Sequence, residues 1–278
     1  MSAVPDSLGQ LLLSRITTPA QDVVAAARGG TGPLVVVSPH LDDAVLSFGA
    51  TISRVVAAGV RVRVVTVLAG DPSSEHPADA NMANNGCTTA GEAARVRRRE
   101  DEHACRVLGA EPVWLPFLDS TDFPRNPDAI WSQLAGHLSD AAVVLIPGFP
   151  LEHADHDFVA HLVRSRASQD VPLWTYVEQP YASWRTLQPH RLGGGAGQRV
   201  ADPRSAAPGS VPPGPRTTGA VNWFRCPLAP AHAQRKWVAL GAYRSQLTDL
   251  RRCPRLRILL HELLAGGEYV GWLSGTGW

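Results

Sequence analysis

Between residues 33 and 70 the apolar positions change their period twice. "PLVVVSP" (33–39) is an unbroken apolar run rich in β-branched residues, the pattern of a strand buried on both faces in a parallel sheet. "DDAVLSFGATISRVVAAG" (42–59) spaces its apolar residues as a helix does and stops at Gly59. "VRVRVVTVLAG" (60–70) reads as the next strand, alternating in its first half. A strand, a helix and a strand within about 37 residues predict a βαβ unit.

The same alternation continues. A helix through "RRREDEHACRVLG" runs to Gly109, "PVWLPFLD" (112–119) is a strand, and "PDAIWSQLAGHLSD" is a helix. "AAVVLIPG" (141–148) is a buried strand, "HDFVAHLVRSRASQ" (156–169) a helix and "PLWTYVEQP" (172–180) a strand. "PAHAQRKWVALGAYRSQLTDL" (230–250) is expected to be one further helix, and another is expected near the N-terminus. Strands alternating with helices predict an α/β fold: a Rossmann-like, doubly wound, mostly parallel sheet flanked by helices. Two stretches interrupt the pattern. Residues 71–96 are polar and too long for an ordinary connection, which suits an active-site loop. Residues 188–220 are rich in Gly, Pro and small residues and read as a flexible insertion within one domain spanning 1–278.

Composition narrows the function. A chain of 278 residues with 44% hydrophobic and 18% charged residues is expected to be globular and soluble. Its formal charge of +1 offers no general attraction to nucleic acid or an acidic membrane surface. "RVRRRE" (95–100) is locally basic, but Glu92, Glu100, Asp101 and Glu102 surround it, so it reads as a mixed-charge helix face. Cys87, Cys105, Cys226 and Cys253 stand apart with no CxxC pair, against a disulfide framework or a cysteine zinc cluster. The N-terminus lacks Lys or Arg ahead of its short apolar stretch, and no apolar run approaches the roughly 20 residues that span a bilayer. A cytoplasmic protein is expected, acting on a small molecule; a homo-oligomer is compatible with these features.

The chemistry sits where strands end. In such sheets ligands gather beyond the carboxyl ends of the strands, and there the chain places His40, Asp42 and Asp43, then Asp119, then His153, Asp155 and His156. Acids at helix starts can simply complement the helix dipole or cap it. Capping does not account for histidines at two strand ends. Hydrolytic zinc takes three protein ligands and keeps one position open. His40, Asp43 and His156 supply such a set, with Zn²⁺, Fe²⁺ or another divalent first-row ion suited to these donors. Asp42 then suits a general base, His153 an oxyanion stabiliser or general acid, and Asp155 a carboxylate that orients His153 and favours its cation.

"SPHLDDAVLSFGA" followed by "PLEHADHDFV" resembles the LmbE-like, or PIG-L, family of zinc-dependent N-deacetylases, whose motifs are usually PHPDDE and HxDH. The resemblance assigns His40, Asp43 and His156 to the metal, Asp42 to the base and His153 to transition-state stabilisation. Arg97, Glu100, Ala104, Leu108 and Gly109 fall in register with the family's RxxExxxAxxxLG helix, and "FLDS" places Asp119 where the family often has an acid near the substrate sugar. The likeness covers residues 33–165 well and the remainder loosely. Leu41 stands for the usual Pro and Ala44 for the usual Glu, which removes an acid near the metal without removing a ligand or the base. The spelling looks most like actinobacterial members that deacetylate glycopeptide antibiotics. The resemblance implies removal of an N-acetyl or longer N-acyl group from an amino sugar of a glycosylated secondary metabolite.

Several assignments stay open at this level. Arg97 suits sugar or phosphate contacts and equally an i,i+3 pair with Glu100. Trp174, Tyr176, Tyr181 and Trp184 suit either a sugar platform or plain core, and either Tyr176 or Tyr181 can assist an oxyanion. A metal-dependent phosphoesterase would use the same ligands with a second metal and more carboxylates. A non-catalytic nucleotide- or metal-binding Rossmann-like module is disfavoured because "SPHLDD", not GxGxxG, follows the first strand.

Overall fold

The computed structural model describes residues 22–118, 125–168, 170–182, 223–246 and 267–273. A short helix α1 (Val23–Arg28) is capped by Asp22, whose carboxylate accepts the Val24 N–H. It leads into β1 (Leu34–Ser38), buried along its whole length, then α2 (Asp43–Ala57) and β2 (Val62–Thr66). Next come α3 (Ala80–Asn84), α4 (Ala90–Leu108) and β3 (Glu111–Trp114). The chain continues through α5 (Pro127–Leu138), β4 (Val143–Phe149), α6 (Ala154–Arg166) and β5 (Leu173–Val177). The described residues end with β6 (Trp223–Arg225), α7 (Pro230–Leu240) and β7 (Tyr269–Trp272).

The seven strands form one sheet in the order β3-β2-β1-β4-β5-β7-β6. The first five are parallel, and β7 runs antiparallel to both its neighbours. Helices α2, α4 and α7 cover one face over Phe48, Ile52, Leu108 and Leu240. Helices α5 and α6 cover the other over Ile130, Leu134, Val159 and Val163. The doubly wound α/β arrangement is therefore present. Chain order reverses between β1 and β4, and the crevice at that switch is where such sheets receive ligands. No helix among the described residues is long and apolar enough to cross a membrane.

Three expectations change in detail. The helix expected over 230–250 ends at Leu240. The expected loop at 71–96 contains α3, and α4 begins within it at Ala90 because Thr89 and Glu92 form a capping box. The basic run in α4 turns back on that segment: Arg95 donates to the Pro72 carbonyl, and Arg98 to those of Ala69 and Gly70. Residues 1–21 and the Gly/Pro-rich stretch at 188–220 lie outside the described residues.

Gly148 shapes the approach to the crevice. The β4–β5 register shifts between Pro147 and Phe149, and a Cβ on Gly148 would stand 1.6 Å from Thr175 Oγ1. Only glycine lets the end of β4 close on β5 and deliver residues 149–156 to the switch crevice.

Candidate metal centre

Where β1 ends, the backbone turns through "SPHLDD" under local constraint. The Ser38 hydroxyl donates to the His40 carbonyl at 2.7 Å and accepts the Ala44 N–H at 3.1 Å. Asp42 has φ 109°, a region that favours glycine and that costs other residues about 1–3 kcal/mol. It stands at the N-cap of α2, yet its carboxylate makes no capping hydrogen bond. Asp43 Oδ2 instead accepts the His40 N–H at 2.9 Å. Helix capping therefore does not explain these two acids.

Across the crevice, His153 is the N-cap of α6 and accepts the Asp155 N–H on Nδ1 at 3.3 Å. Within the first turn of the helix, His156 faces the end of β1. Three donor atoms converge: His40 Nδ1, Asp43 Oδ2 and His156 Nε2 are each 3.2 Å from the other two. Tetrahedral donors about 2.0–2.1 Å from a zinc ion stand about 3.3 Å from one another, so this triangle has the right size.

The remaining ring nitrogens explain why the triangle wants a cation. His40 Nε2 is 2.9 Å from Asp155 Oδ2, and His156 Nδ1 is 2.5 Å from Glu178 Oε1. Each outer nitrogen donates a proton to a carboxylate, so both inner nitrogens are left to bind a cation beside the Asp43 carboxylate once His156 gives up its second proton. Such a set suits a divalent ion.

Electrostatics agree. Burial alone would raise Asp43, but His156 and His40 overcome it and hold its carboxyl far below the ordinary range. Burial works against the charged form of His156, yet Asp43 and Glu178 lift it to about 10. Asp155 is held at about 2, since His40 and then Arg125 outweigh its burial. Asp42 is driven up to about 8 by burial and the neighbouring Asp43 charge, with Arg97 and His40 opposing. His153 is lowered, chiefly by burial and then by the charge on His40.

The other site expectations fare unevenly. Asp155, expected to orient His153, has its Oδ2 4.0 Å from His153 Nδ1, farther than from His40. Burial and the His40 charge disfavour the cation of His153, and Asp155 opposes them only in part. Arg97 of α4 is near enough to Asp42 for its charge to act there, while Glu100 accepts the Ser245 N–H and O–H. Asp119 and Trp184 lie outside the described residues. Tyr176 is core, donating to the Val37 carbonyl at 3.1 Å. Tyr181 stands at the centre, its ring 5.2 Å from that of His156 and 6.4 Å from that of His153.

Sequence reasoning misses two residues. Glu178 follows β5 and is fixed by the Leu151 N–H at 2.9 Å; an acid at a strand's carboxyl end is the available signal. Arg125, paired with Asp155, carries no signal in sequence. Among the described residues, the histidine group able to hold a metal is His40, His153 and His156, with one nitrogen of each within 4.8 Å of the others. A cleft of about 410 Å³ opens on the same edge of the sheet, beyond β2 and β3, lined by Asp71, Ser74, Glu75, His76, Pro116 and Leu118.

Comparison with known proteins agrees with this geometry. A family model described as "PIG-L: GlcNAc-PI de-N-acetylase" matches residues 35–167, a stretch that holds His40, Asp42, Asp43, His153, Asp155 and His156 but not Glu178. The A40926 pseudoaglycone deacetylase Dbv21 is similar in structure with TM-score 0.64 and 25% identity, over 89% of this chain and 99% of that one. The zinc inhibited form of teicoplanin deacetylase Orf2 shares the fold with TM-score 0.59 and 22% identity, over 86% and 97%. So does N,N'-diacetylchitobiose deacetylase from Pyrococcus horikoshii, with TM-score 0.56 and 20% identity over 99% and 94%. Residues 35–167 match the PIG-L, or LmbE-like, family, and the chain is a deacetylase, a hydrolase of N-acyl amides.

Proposed function

We propose that the protein removes an N-acetyl, or longer N-acyl, group from an amino sugar carried by a glycosylated secondary metabolite. The observation that carries the reading is the 3.2 Å triangle of His40 Nδ1, Asp43 Oδ2 and His156 Nε2 at the switch crevice. His40, Asp43 and His156 would hold Zn²⁺ or another divalent first-row ion. When bound, the ion polarises the amide carbonyl and makes a water acidic enough to attack at neutral pH.

The chain's own residues do the rest. Asp42 takes the proton of the attacking water. Because His153 Nδ1 already accepts an amide N–H, its Nε2–H is the donor left to face the oxyanion. The Tyr181 hydroxyl stays protonated, raised first by burial and then by Asp43 and Asp42, so it too can donate. Asp155 and Glu178 keep the two ligand imidazoles turned toward the ion. Proton transfer to the departing nitrogen yields the free amine and the carboxylate.

The substrate class takes support from the likeness to Dbv21, a deacetylase of the antimicrobial A40926 pseudoaglycone. Arg97 and Asp119 are proposed to contact the sugar, and the cleft beyond β2 and β3 offers room for a bulky aglycone. The test is purified protein assayed for metal per chain and for acetate release from N-acetyl glycosides, against a generic phosphate ester. One metal per chain with amide hydrolysis supports the proposal; phosphate release without acetate overturns it.

A further inference from the structure

Asp155 sits on the first turn of α6 with its side chain 3% exposed, between three nitrogen-bearing groups. Its Oδ2 lies 2.9 Å from His40 Nε2 and 4.0 Å from His153 Nδ1, while its Oδ1 accepts from Arg125 Nη2. Arg125 is fastened twice to the same helix, since its guanidinium also lies 5.2 Å from the ring centre of Phe158, three residues beyond Asp155. Its backbone is set by the next residue, Asn126, which caps α5 by accepting the Asp128 and Ala129 N–H groups. A planar guanidinium held on an aromatic face orients the oxygen it binds, which a lone ammonium does less well.

We infer that Arg125 is a positioning residue that pins Asp155 on His40 rather than His153, and thereby keeps Nδ1 of His40 as a metal donor. The inference rests on the proposed metal site. The imidazole of His40 can offer Nδ1 to a cation only with its proton on Nε2, and Asp155 is the acceptor at Nε2. With Arg125 gone, Asp155 Oδ1 loses its cation and the carboxylate is free to rotate toward His153. His40 then loses its tautomer preference.

The experiment compares wild type, Arg125→Gln and Arg125→Lys. Zinc affinity is read by chelator competition, and the His40 tautomer by ¹⁵N imidazole shifts of the metal-free protein. Arg125→Gln is expected to weaken zinc about 10- to 100-fold and to turn His40 from an Nε2–H form into a tautomer mixture. Arg125→Lys keeps the charge without the stacking on Phe158 and is expected to lose about three- to tenfold. A folded Arg125→Gln with unchanged affinity and tautomer overturns the inference alone. Should that variant not fold, an unchanged Arg125→Lys does the same. Wild type that binds no divalent ion overturns the metal reading together with this one.

Discussion

Two clusters of buried charge touch α2, one at its N-terminus and one at Ala50 and Thr51, and they differ in how completely they are balanced. At the far cluster, Lys236 of α7 donates to Glu268 Oε1 at 2.7 Å, with both side chains 2% exposed. The same carboxylate accepts the Ala50 and Thr51 N–H groups at 2.9 and 2.7 Å. One cation meets one anion, whose oxygens are occupied by donors. At the near cluster, Asp42, Asp43, Asp155 and Glu178 crowd three histidines, and Asp42 and His156 are driven far from their ordinary protonation. A balanced cluster fastens helices and the end of the chain together. One left with converging ligand atoms is built to receive something.

Substitutions can break this contrast in order of size. Asp42→Asn should lower kcat by about 10²–10⁴-fold with metal still bound, the range for loss of a general base; full turnover with bound metal would exclude Asp42 as the base. Lys236→Met should cost about 3–5 kcal/mol of stability, because it leaves Glu268 buried and unpaired. Chemical denaturation measures that loss, and kcat of the folded fraction should not move. Glu178→Gln should weaken metal about 10- to 100-fold in equilibrium dialysis and also lower the melting temperature of the metal-free protein near neutral pH, because it removes one of the two carboxylates that hold the His156 proton.

Acidity acts on the near cluster. His156 is raised above its unfolded value near 6.5 to about 10. Its proton therefore stabilises the metal-free fold fully below pH 6.5, and that contribution is lost as pH climbs through 10. Metal must displace the same proton, so affinity should rise with pH over that window. Thermal melts from pH 7 to 10 should show the chelated protein weakening more than the loaded one. The smallest effect belongs to the exposed Glu102–Arg106 pair on α4. Glu102→Ala should change stability by no more than about 0.5 kcal/mol in denaturant titration.

The halves of the site are not equally legible in sequence. His40, Asp42 and Asp43 stand within four residues, directly after an apolar run whose period announces a buried strand, so the turn and its chemistry are read together. His153, Asp155 and His156 share that compactness. Glu178 stands alone after "LWTYV", and its role depends on β5 lying beside β4 with the shift that Gly148 permits. Arg125 is more remote still: nothing within its own segment indicates that α6 will bring Asp155 and Phe158 to it. The strands β6 and β7 escape for a different reason. They span only Trp223–Arg225 and Tyr269–Trp272, too short for a period to register.

The sequence by itself determined the alternation of strands and helices, the two polar breaks and the type of chemistry their residues can perform, because period and residue type are local properties. Tertiary structure decided which nitrogen of each histidine faces inward, which carboxylate backs which imidazole, and that Asp155 turns to His40 in preference to His153. Those choices depend on distances of a few ångströms between segments that stand from 22 to 116 residues apart in the chain. The packing of β1 against β4 at the reversal of chain order, and of β4 against β5, sets them.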